Sequence, residues 1–215
     1  MPDVCVIVLC GGTSRRLGGR DKTRESLAGT TVLDHLLDAL PAGWTVICVG
    51  EERTTTRWVQ WCRESPAGGG PVAGIAAGLA AEVAAGLVAG VAADAAPGAP
   101  ADAHHHKHGA AEICVVIGGD MPFAAPAVPT LVDALSSEPR LDAVLAGDPD
   151  GRTQPLLAAY RTEALRAALP GAPGGARLMT VVSALRIGTV ACDARTTLDV
   201  DTPEALERAR HIVGA

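Results

Sequence analysis

The sequence predicts an α/β fold in which helices cover both faces of a mostly parallel β-sheet. Short β-branched apolar runs alternate along the chain with longer segments whose apolar residues recur at helical spacing. Helix-capping residues and Gly or Pro breaks separate these segments. Only three Trp, one Tyr and one Phe occur among 215 residues, so small side chains dominate the predicted packing of helices on the sheet. Residues 1–215 are long enough for a single domain with its own core.

The first 117 residues contain four predicted strands and two predicted helices. The first strand ends at the break Gly11-Gly12, and the first helix begins after the N-cap Thr31 and stops at Pro41. Three glycines and Pro71 precede a long Ala-rich helix. The predicted strands are residues 4–9, 45–49, 58–62 and 113–117, and the predicted helices are residues 32–40 and 72–93.

The second half continues with further strands and helices. The last helix has Thr202 as its cap and Pro203 in its first turn, where the missing N–H of proline is not needed. The predicted strands are residues 143–146, 156–160 and 189–192. The predicted helices are residues 126–135, 162–169, 177–185 and a last helix that begins at 202–204.

The topology predicts where a ligand would bind. In open parallel sheets, ligands bind beyond the carboxyl ends of the strands. Leu9, Cys62 and Ile117 each end a predicted strand. We therefore expect the loops that follow these three residues to gather at one edge of the sheet.

The charge of the chain excludes one class of partner. The formal net charge is −6 and the pI is about 5.5, whereas a nucleic-acid surface normally needs a basic field. No membrane span is expected either, because the apolar tract 72–93 consists mostly of small residues and contains Glu82. The first residues lack a basic segment and a cleavage site, so a cytoplasmic location is expected.

The six cysteines and the histidines suggest no strong metal site. None of the cysteines forms a CxxC pair, and most lie in apolar runs, so buried reduced thiols are expected. Residues 94–111 are of low complexity and are predicted to be a flexible insertion. Four histidines, His104, His105, His106 and His108, could bind zinc or nickel, but no Cys or acidic residue at ligand spacing accompanies them.

The loop after the first strand combines glycines with positive charge. Glycines let backbone N–H groups approach phosphate oxygens, and Arg16 and Lys22 add cationic side chains. The spacing differs from a Walker A loop and from GxGxxG, which argues against a dinucleotide-dependent oxidoreductase. A phosphate-binding loop is therefore predicted from Leu9 to Lys22.

Residues 9–22 resemble the LxGGxSxRxGxDK signature of the molybdenum cofactor guanylyltransferases and their wider nucleotidyltransferase group. Four further segments resemble this family's GPLAGI, CDMPF, QPL and NVNTPE segments in the same order: 70–75, 119–123, 154–156 and 199–204. The resemblance implies a Rossmann-like, three-layer αβα fold of the nucleotide-diphospho-sugar-transferase type. It spans nearly the whole chain.

The resemblance also implies roles for individual residues. Arg16, Lys22 and Asp120 would be catalytic, and Asp120 and Asp201 would bind Mg²⁺, which prefers carboxylate oxygens. Glu64 is the nearest candidate for an acidic residue that the family often has before its Gly-Pro. The implied GTP-binding residues are Leu9, Cys10, Gly11, Gly12, Lys22, Glu64 and Asp120.

The chain departs from the family pattern at four positions. Cys10 replaces a small Ala, Gly119 replaces a common Cys, and Asp199 and Asp201 replace a frequent Asn pair. An aspartate beside a helix start is also a good N-cap, so Asp120 and Asp201 each have a second explanation as helix caps.

The predicted activity is Mg²⁺-dependent transfer of GMP from GTP to molybdopterin, which releases pyrophosphate. The alternatives are a cytidylyltransferase acting on the same pterin and a guanylyltransferase acting on a phosphorylated hydroxy acid. A nucleotide-binding module without turnover is the alternative from a different class. Because the attacking phosphate is already an anion, no Ser, Cys or His nucleophile is needed.

Overall fold

A computed structural model describes residues 2–11, 20–95 and 110–214, and within residues 86–95 it describes the backbone alone. In chain order the strands are β1 Val4–Leu9, β2 Ser26–Leu27, β3 Thr30–Thr31, β4 Thr45–Val49, β5 Gln60–Cys62, β6 Ile113–Gly118, β7 Ala143–Gly147, β8 Thr153–Arg161 and β9 Ile187–Ala191. The α-helices are α1 Val32–Ala39, α2 Pro71–Ala95, α3 Ala127–Ser137, α4 Thr162–Ala168, α5 Leu178–Val182 and α6 Pro203–Gly214.

Seven of these strands form one twisted sheet in the order β5-β4-β1-β6-β8-β7-β9. Strand β8 runs antiparallel to both of its neighbours, and the remaining neighbouring pairs are parallel. The prediction of a mostly parallel sheet is therefore confirmed. The antiparallel β8 follows β7 through a tight turn, which needs no helical crossover.

The sheet separates two apolar cores, as three αβα layers require. Alternate residues of β1 point to opposite faces: Val4, Val6 and Val8 belong to the core beneath α1 and α3, whereas Cys5 and Ile7 belong to the core beneath α2 and α5. A third, smaller cluster packs α6 against Leu27, Val32 and Phe123.

Glycines bring α2 unusually close to β1. A Cβ atom at Gly78 would lie 2.8 Å from two carbon atoms of Ile7, and one at Gly74 would lie 3.0 Å from Leu9 Cδ2. Because Gly74 faces the last residue of β1, the start of α2 lies beside the carboxyl end of that strand. No helix in the described part of the chain is long and apolar enough to cross a membrane.

Three backbone hydrogen bonds bring together the strand ends at Leu9, Cys62 and β6, as predicted. Cys10 N donates to Val49 O at 2.8 Å, Gly119 N to Leu9 O at 2.9 Å and Gly50 N to Cys62 O at 2.9 Å. Cys192 N likewise donates to Gly147 O at 2.8 Å on the other half of the sheet. We call this side of the sheet, where β5, β4, β1, β6, β7 and β9 end, the carboxyl edge.

Several predicted boundaries differ from the structure. The predicted strand 58–62 is reduced to Gln60–Cys62, since Trp58 is 81% exposed and three residue pairs join β5 to β4. The predicted helix 177–185 is shortened to α5, which is little more than one turn long. Strand β9 begins two residues before the predicted start at residue 189. The short hairpin of β2 and β3 was absent from the sequence prediction, because two-residue strands leave no periodic pattern.

The predicted insertion 94–111 is structured at both ends. Helix α2 continues to Ala95, and Ala111 is buried with its N–H donating to Glu82 Oε1 at 2.5 Å. The histidines of the insertion lie outside the described residues.

All six cysteines are free thiols, as predicted. Cys5, Cys10, Cys48 and Cys114 are buried, and Cys62 and Cys192 are partly buried. A hydrogen bond with Cys48, together with burial, raises the pKa of the Cys10 thiol well above its ordinary value. The protonated thiol of Cys10 is therefore a packing group rather than a nucleophile at neutral pH.

Asp142 supplies a pH-dependent link at the opposite, amino end of the sheet. Its carboxylate accepts bonds from Arg186 N, Nε and Nη2 at 2.9, 2.8 and 2.7 Å, which joins the starts of β7 and β9. These hydrogen bonds lower the pKa of Asp142 to about 2. The folded-state pKa lies below the unfolded value, so this stabilisation is present above about pH 5 and is lost as the pH falls towards 2.

We expect Asp142→Asn to lower the free energy of unfolding at pH 7 by less than about 1 kcal/mol, because solvent screens a pair whose Arg186 side chain is 66% exposed. Urea denaturation of wild type and variant between pH 7 and pH 2.5 checks this. The difference should shrink as the pH falls. Parallel pH profiles for the two proteins would contradict the assignment.

Candidate functional site

The floor of the site lies where β1 and β6 end side by side. A Cβ atom at Gly119 would lie 3.1 Å from Leu9 O, 3.3 Å from Cys10 Sγ and 3.4 Å from Thr23 Cγ2. Gly50 approaches Cys10 as closely, with a Cβ position 3.2 Å from Cys10 Cβ. The backbones of three loops therefore meet at the carboxyl edge without intervening side chains.

This close approach explains two departures from the family pattern together. The sulfur of Cys10 occupies the space beside Gly119, so a larger residue at position 10 is matched by the absence of a side chain at position 119. A side chain at position 119 would compete with this sulfur for the same space.

Lys22 is carried by a 3₁₀ turn, Lys22–Arg24, that begins directly after the glycine-rich loop. Asp21 is its N-cap and accepts hydrogen bonds from Thr23 N at 3.0 Å and Thr23 Oγ1 at 2.6 Å. From this turn the ammonium of Lys22 forms an ion pair with Asp120 Oδ2. The two side chains are 22% and 15% exposed, so both remain accessible to a ligand.

Asp120 lies two residues beyond the end of β6. It belongs to a turn in which Met121 N donates to Gly118 O at 3.1 Å, and a Cβ atom at Gly118 would lie 2.5 Å from Asp120 Oδ1. Helix α3 begins only at Ala127, and its N-cap is Pro126. Asp120 is therefore not a cap of this helix. The turn at the end of β6 sets the position of its carboxylate.

A second acidic segment joins Asp120 from the C-terminal part of the chain. Val200 N donates to Asp120 O at 2.8 Å, which places residues 199–201 beside the turn. Burial and the negative charges of Asp201 and Asp120 raise the pKa of Asp199. The positive charge of Lys22 acts in the opposite direction. Three carboxylates and one ammonium thus act on one another at this point of the carboxyl edge.

The helix start near this segment has its own cap. Thr202 Oγ1 accepts a hydrogen bond from Ala205 N at 3.2 Å in the first turn of α6. The capping role that the sequence left open for Asp201 is therefore filled by its neighbour.

The acidic residues in the described part of the chain suit a hard cation that also takes ligands from water and substrate. Among the described residues, no group of three or more His, Cys, Asp or Glu side chains is arranged to hold a metal ion. Mg²⁺ characteristically binds one or two carboxylates and completes its shell with water and substrate phosphates. Burial, followed by the negative charges of Asp201 and Asp120, raises the pKa of Asp199, so a cation beside these carboxylates would favour their ionised form.

Glu64 borders the site from the loop after β5. Its Oε1 atom accepts from Gly68 N at 3.0 Å and lies 4.0 Å from the position of a Cβ at Gly11. Gly68 and Gly70 have positive φ angles of 78° and 86°, which let the chain turn into α2 immediately afterwards. The predicted residue Glu64 therefore faces the phosphate-loop side of the edge.

The other half of the carboxyl edge contains the segment around Gln154. Asp148, just after β7, accepts from Gln154 Nε2 at 3.3 Å and from Arg152 N at 2.8 Å, which fixes the β7–β8 turn. This turn lies on the far side of β6 from the glycine-rich loop, as the strand order requires.

The structure brings together most of the residues predicted from the sequence. The described residues Leu9, Cys10, Gly11, Lys22, Glu64, Asp120 and Asp201 lie along the carboxyl edge. Gly12 and Arg16 lie outside the described residues. Sequence reasoning missed Arg53, which contacts the turn of Lys22, and it treated Asp199 only as a departure from the family pattern. The capping pattern Asp21-x-Thr23 was the one available signal for this turn.

Several solved structures share the fold of this chain. The chain superposes with TM-score 0.65 and 21% identity on the molybdopterin-guanine dinucleotide biosynthesis protein A of Archaeoglobus fulgidus, with 98% of each chain covered. A nucleotidyl transferase from Methanothermobacter thermautotrophicus gives TM-score 0.65 at 16% identity, covering 98% of this chain and 97% of that one. A Mycobacterium tuberculosis H37Rv protein, solved as a complex with manganese, gives 0.61 at 20% identity, covering 98% of each chain. The predicted nucleotidyltransferase-type αβα fold is confirmed.

The sequence assigns the family. A profile described as the MobA-like NTP transferase domain matches residues 6–188, so this chain belongs to the family of MobA-like NTP transferases. It is thus an enzyme of the nucleotidyltransferase class. A molybdenum cofactor guanylyltransferase from Vibrio cholerae serotype O1 is 30% identical over 82 residues, which are 36% of this chain and 40% of that protein. The match therefore spans less than half the length of this curated relative.

Proposed function

We propose that this enzyme transfers GMP from GTP to molybdopterin with the help of Mg²⁺, forming the guanine dinucleotide cofactor and pyrophosphate. The observation that carries the proposal is the Lys22–Asp120 ion pair at the shared end of β1 and β6. A phosphate and a divalent cation bound at this point would each meet the opposite charge that they need. The identity of both substrates rests on the named relatives.

The reaction forms one bond and breaks one. A terminal phosphate oxygen of the acceptor forms a new P–O bond to the α-phosphorus of the nucleotide. The bond between the α-phosphorus and the bridging oxygen breaks, and pyrophosphate leaves with that electron pair. No proton transfer from a protein side chain is needed, so catalysis consists of positioning and charge stabilisation.

The side chains at the edge divide this work. The Lys22 ammonium would donate hydrogen bonds to phosphoryl oxygens whose charge increases in the transition state. Gly11 leaves room for a phosphate to approach the backbone, because a Cβ atom there would have, among the described residues beyond its chain neighbours, only Glu64 Oε1 within 4.0 Å. The β7–β8 turn with Gln154 would border the acceptor, because it lies across β6 from the glycine-rich loop.

Asp120 and Asp201 are the residues that would hold Mg²⁺, and Asp199 adds negative charge beside them. When bound there, the cation would act as a Lewis acid that neutralises charge on the phosphates. The metal is proposed as Mg²⁺ because hard oxygen ligands are the ones this site offers.

The proposal is tested with a panel of GTP, CTP, ATP and UTP, each combined with molybdopterin and Mg²⁺. We expect pyrophosphate release and a dinucleotide product with GTP, and rates at least about tenfold lower with the other nucleotides. Faster transfer from CTP would replace the proposal with the cytidylyltransferase alternative. Turnover with a phosphorylated hydroxy acid but none with molybdopterin would contradict the proposed acceptor.

A further inference from the structure

The turn that carries Lys22 is joined to a distant loop by one guanidinium group. Arg53, in the loop between β4 and β5, donates from Nη1 to Asp21 Oδ2 at 2.8 Å and from Nη2 to Thr23 Oγ1. These acceptors are the residues immediately before and after Lys22. Arg53 therefore contacts both neighbours of the lysine that pairs with Asp120.

The guanidinium of Arg53 is itself fixed in place. Its Cζ atom lies 5.4 Å from the centre of the Trp61 ring on β5, within range of a cation–π interaction. The Arg53 side chain is only 12% exposed, so solvent competes little for its hydrogen bonds. The planar guanidinium of Arg53, held against Trp61, therefore fixes the positions of its two acceptors, Asp21 and Thr23.

Asp21 keeps the charge that this arrangement needs. Burial acts to raise its pKa, but hydrogen bonds from Thr23 and the charge of Arg53 outweigh burial and lower the pKa below its ordinary value. A second link runs in parallel, because Arg24 donates to Asp21 Oδ2 at 3.2 Å and to Glu51 Oε2 at 3.3 Å. Both links join the turn to the loop after β4.

We propose that Arg53 is a positioning residue that directs the Lys22 ammonium towards the reacting phosphates. It acts through Asp21 and Thr23 and needs no contact with the substrate itself. The inference rests on the proposed function, because Lys22 is the group whose position matters there. A lysine at position 53 would keep the charge but would lack the fork that reaches two acceptors at once.

The first test compares two conservative substitutions in the same loop. Arg53→Lys should lower kcat about 10²-fold with a smaller change in KM, since misplacement of a catalytic group by about 1 Å has effects of this size. The matched control is Arg57→Lys. The Arg57 guanidinium donates to Leu37 O and Leu40 O at 3.2 and 3.1 Å, at the end of α1 rather than in the Lys22 turn. This control should lower Tm while leaving kcat within about twofold.

A double-mutant cycle with Lys22→Ala separates positioning from general structural support. If Arg53 acts through Lys22, Arg53→Lys should change kcat/KM by less than about threefold in the Lys22→Ala background. Asp21→Asn should reproduce the effect of Arg53→Lys, and the combination should be no worse than either alone. Equal losses in both backgrounds, or an equal loss of kcat in Arg57→Lys, would overturn the inference.

Measuring GTP affinity by calorimetry for the same set of variants separates the proposed transferase activity from the proposed positioning role of Arg53. Wild type that binds GTP but releases no pyrophosphate would contradict the proposed function alone. In that protein, coupling between positions 53 and 22 in GTP affinity would still support the positioning role, and additive effects would exclude it.

Discussion

Asp120→Asn should lower kcat by at least about 10²-fold, the size of loss found when a single charge-stabilising group is removed from an active site. The amide keeps the shape of the side chain but removes the negative charge that pairs with Lys22. It also removes a carboxylate oxygen, the ligand that Mg²⁺ prefers. The loss should therefore be accompanied by a rise in the Mg²⁺ concentration needed for half-maximal activity.

The fold should tolerate this change. Asp120 is not a helix cap, and the strand-end turn depends on backbone contacts, with Met121 N donating to Gly118 O and Val200 N to Asp120 O. Removing the Asp120 charge also relieves part of the repulsion that, after burial, raises the pKa of Asp199. We expect Tm to change by no more than about 3 °C, which for a chain of this size corresponds to roughly 1 kcal/mol.

Two measurements check this prediction: Mg²⁺-dependent pyrophosphate release and thermal unfolding. Asp142→Asn is a matched control, because it is the same substitution at the amino end of β7, away from the site. The control should lose stability and keep kcat, the reverse of what is expected for Asp120→Asn. Near-normal turnover and unchanged Mg²⁺ dependence in Asp120→Asn would show that this carboxylate is no metal ligand.

The fold could be predicted from the sequence because its signals are local. A buried parallel strand such as β1 is one short β-branched run, and α2 is one Ala- and Gly-rich stretch between breaks. The boundaries of β5 and α5 were wrong because tertiary contacts decide where such short elements end. The pairing of β8 with both β6 and β7 is likewise a tertiary result that no single segment specifies.

The candidate site was predictable where it follows a strand end and not where distant segments meet. Asp120 follows two glycines at the end of a buried strand, and Lys22 closes the glycine-rich loop that follows another, which is a pattern visible in the sequence. Arg53 contacts Asp21 across 32 positions of the chain. No pattern in the sequence around either residue indicates that the two side chains meet. Asp199 is 79 positions from Asp120, and only the folded chain shows that their charges interact.

Lys22→Ala should lower kcat about 10²–10³-fold, or roughly 3–4 kcal/mol of transition-state stabilisation, while weakening GTP binding far less. Charge builds up on the α-phosphoryl oxygens and on the departing pyrophosphate as the bond breaks. A cation that meets this charge stabilises the transition state more than the bound substrate, and only that difference accelerates the reaction. We expect Arg16→Ala to act in the same direction.

The decisive comparison measures GTP affinity by calorimetry and pyrophosphate release in parallel for wild type, Lys22→Ala and Arg210→Ala. Arg210 is an exposed residue of α6 whose loss changes the net charge equally but should leave kcat unchanged. Lys22→Ala also removes the ion-pair partner of Asp120. A smaller loss of kcat in this variant at high Mg²⁺ concentration would indicate that Lys22 and Mg²⁺ share the Asp120 carboxylate. Equal losses in affinity and kcat/KM, with kcat itself unaltered, would show that Lys22 only binds the nucleotide. Wild type that binds GTP yet releases no pyrophosphate with any acceptor would leave a nucleotide-binding module as the function of this chain.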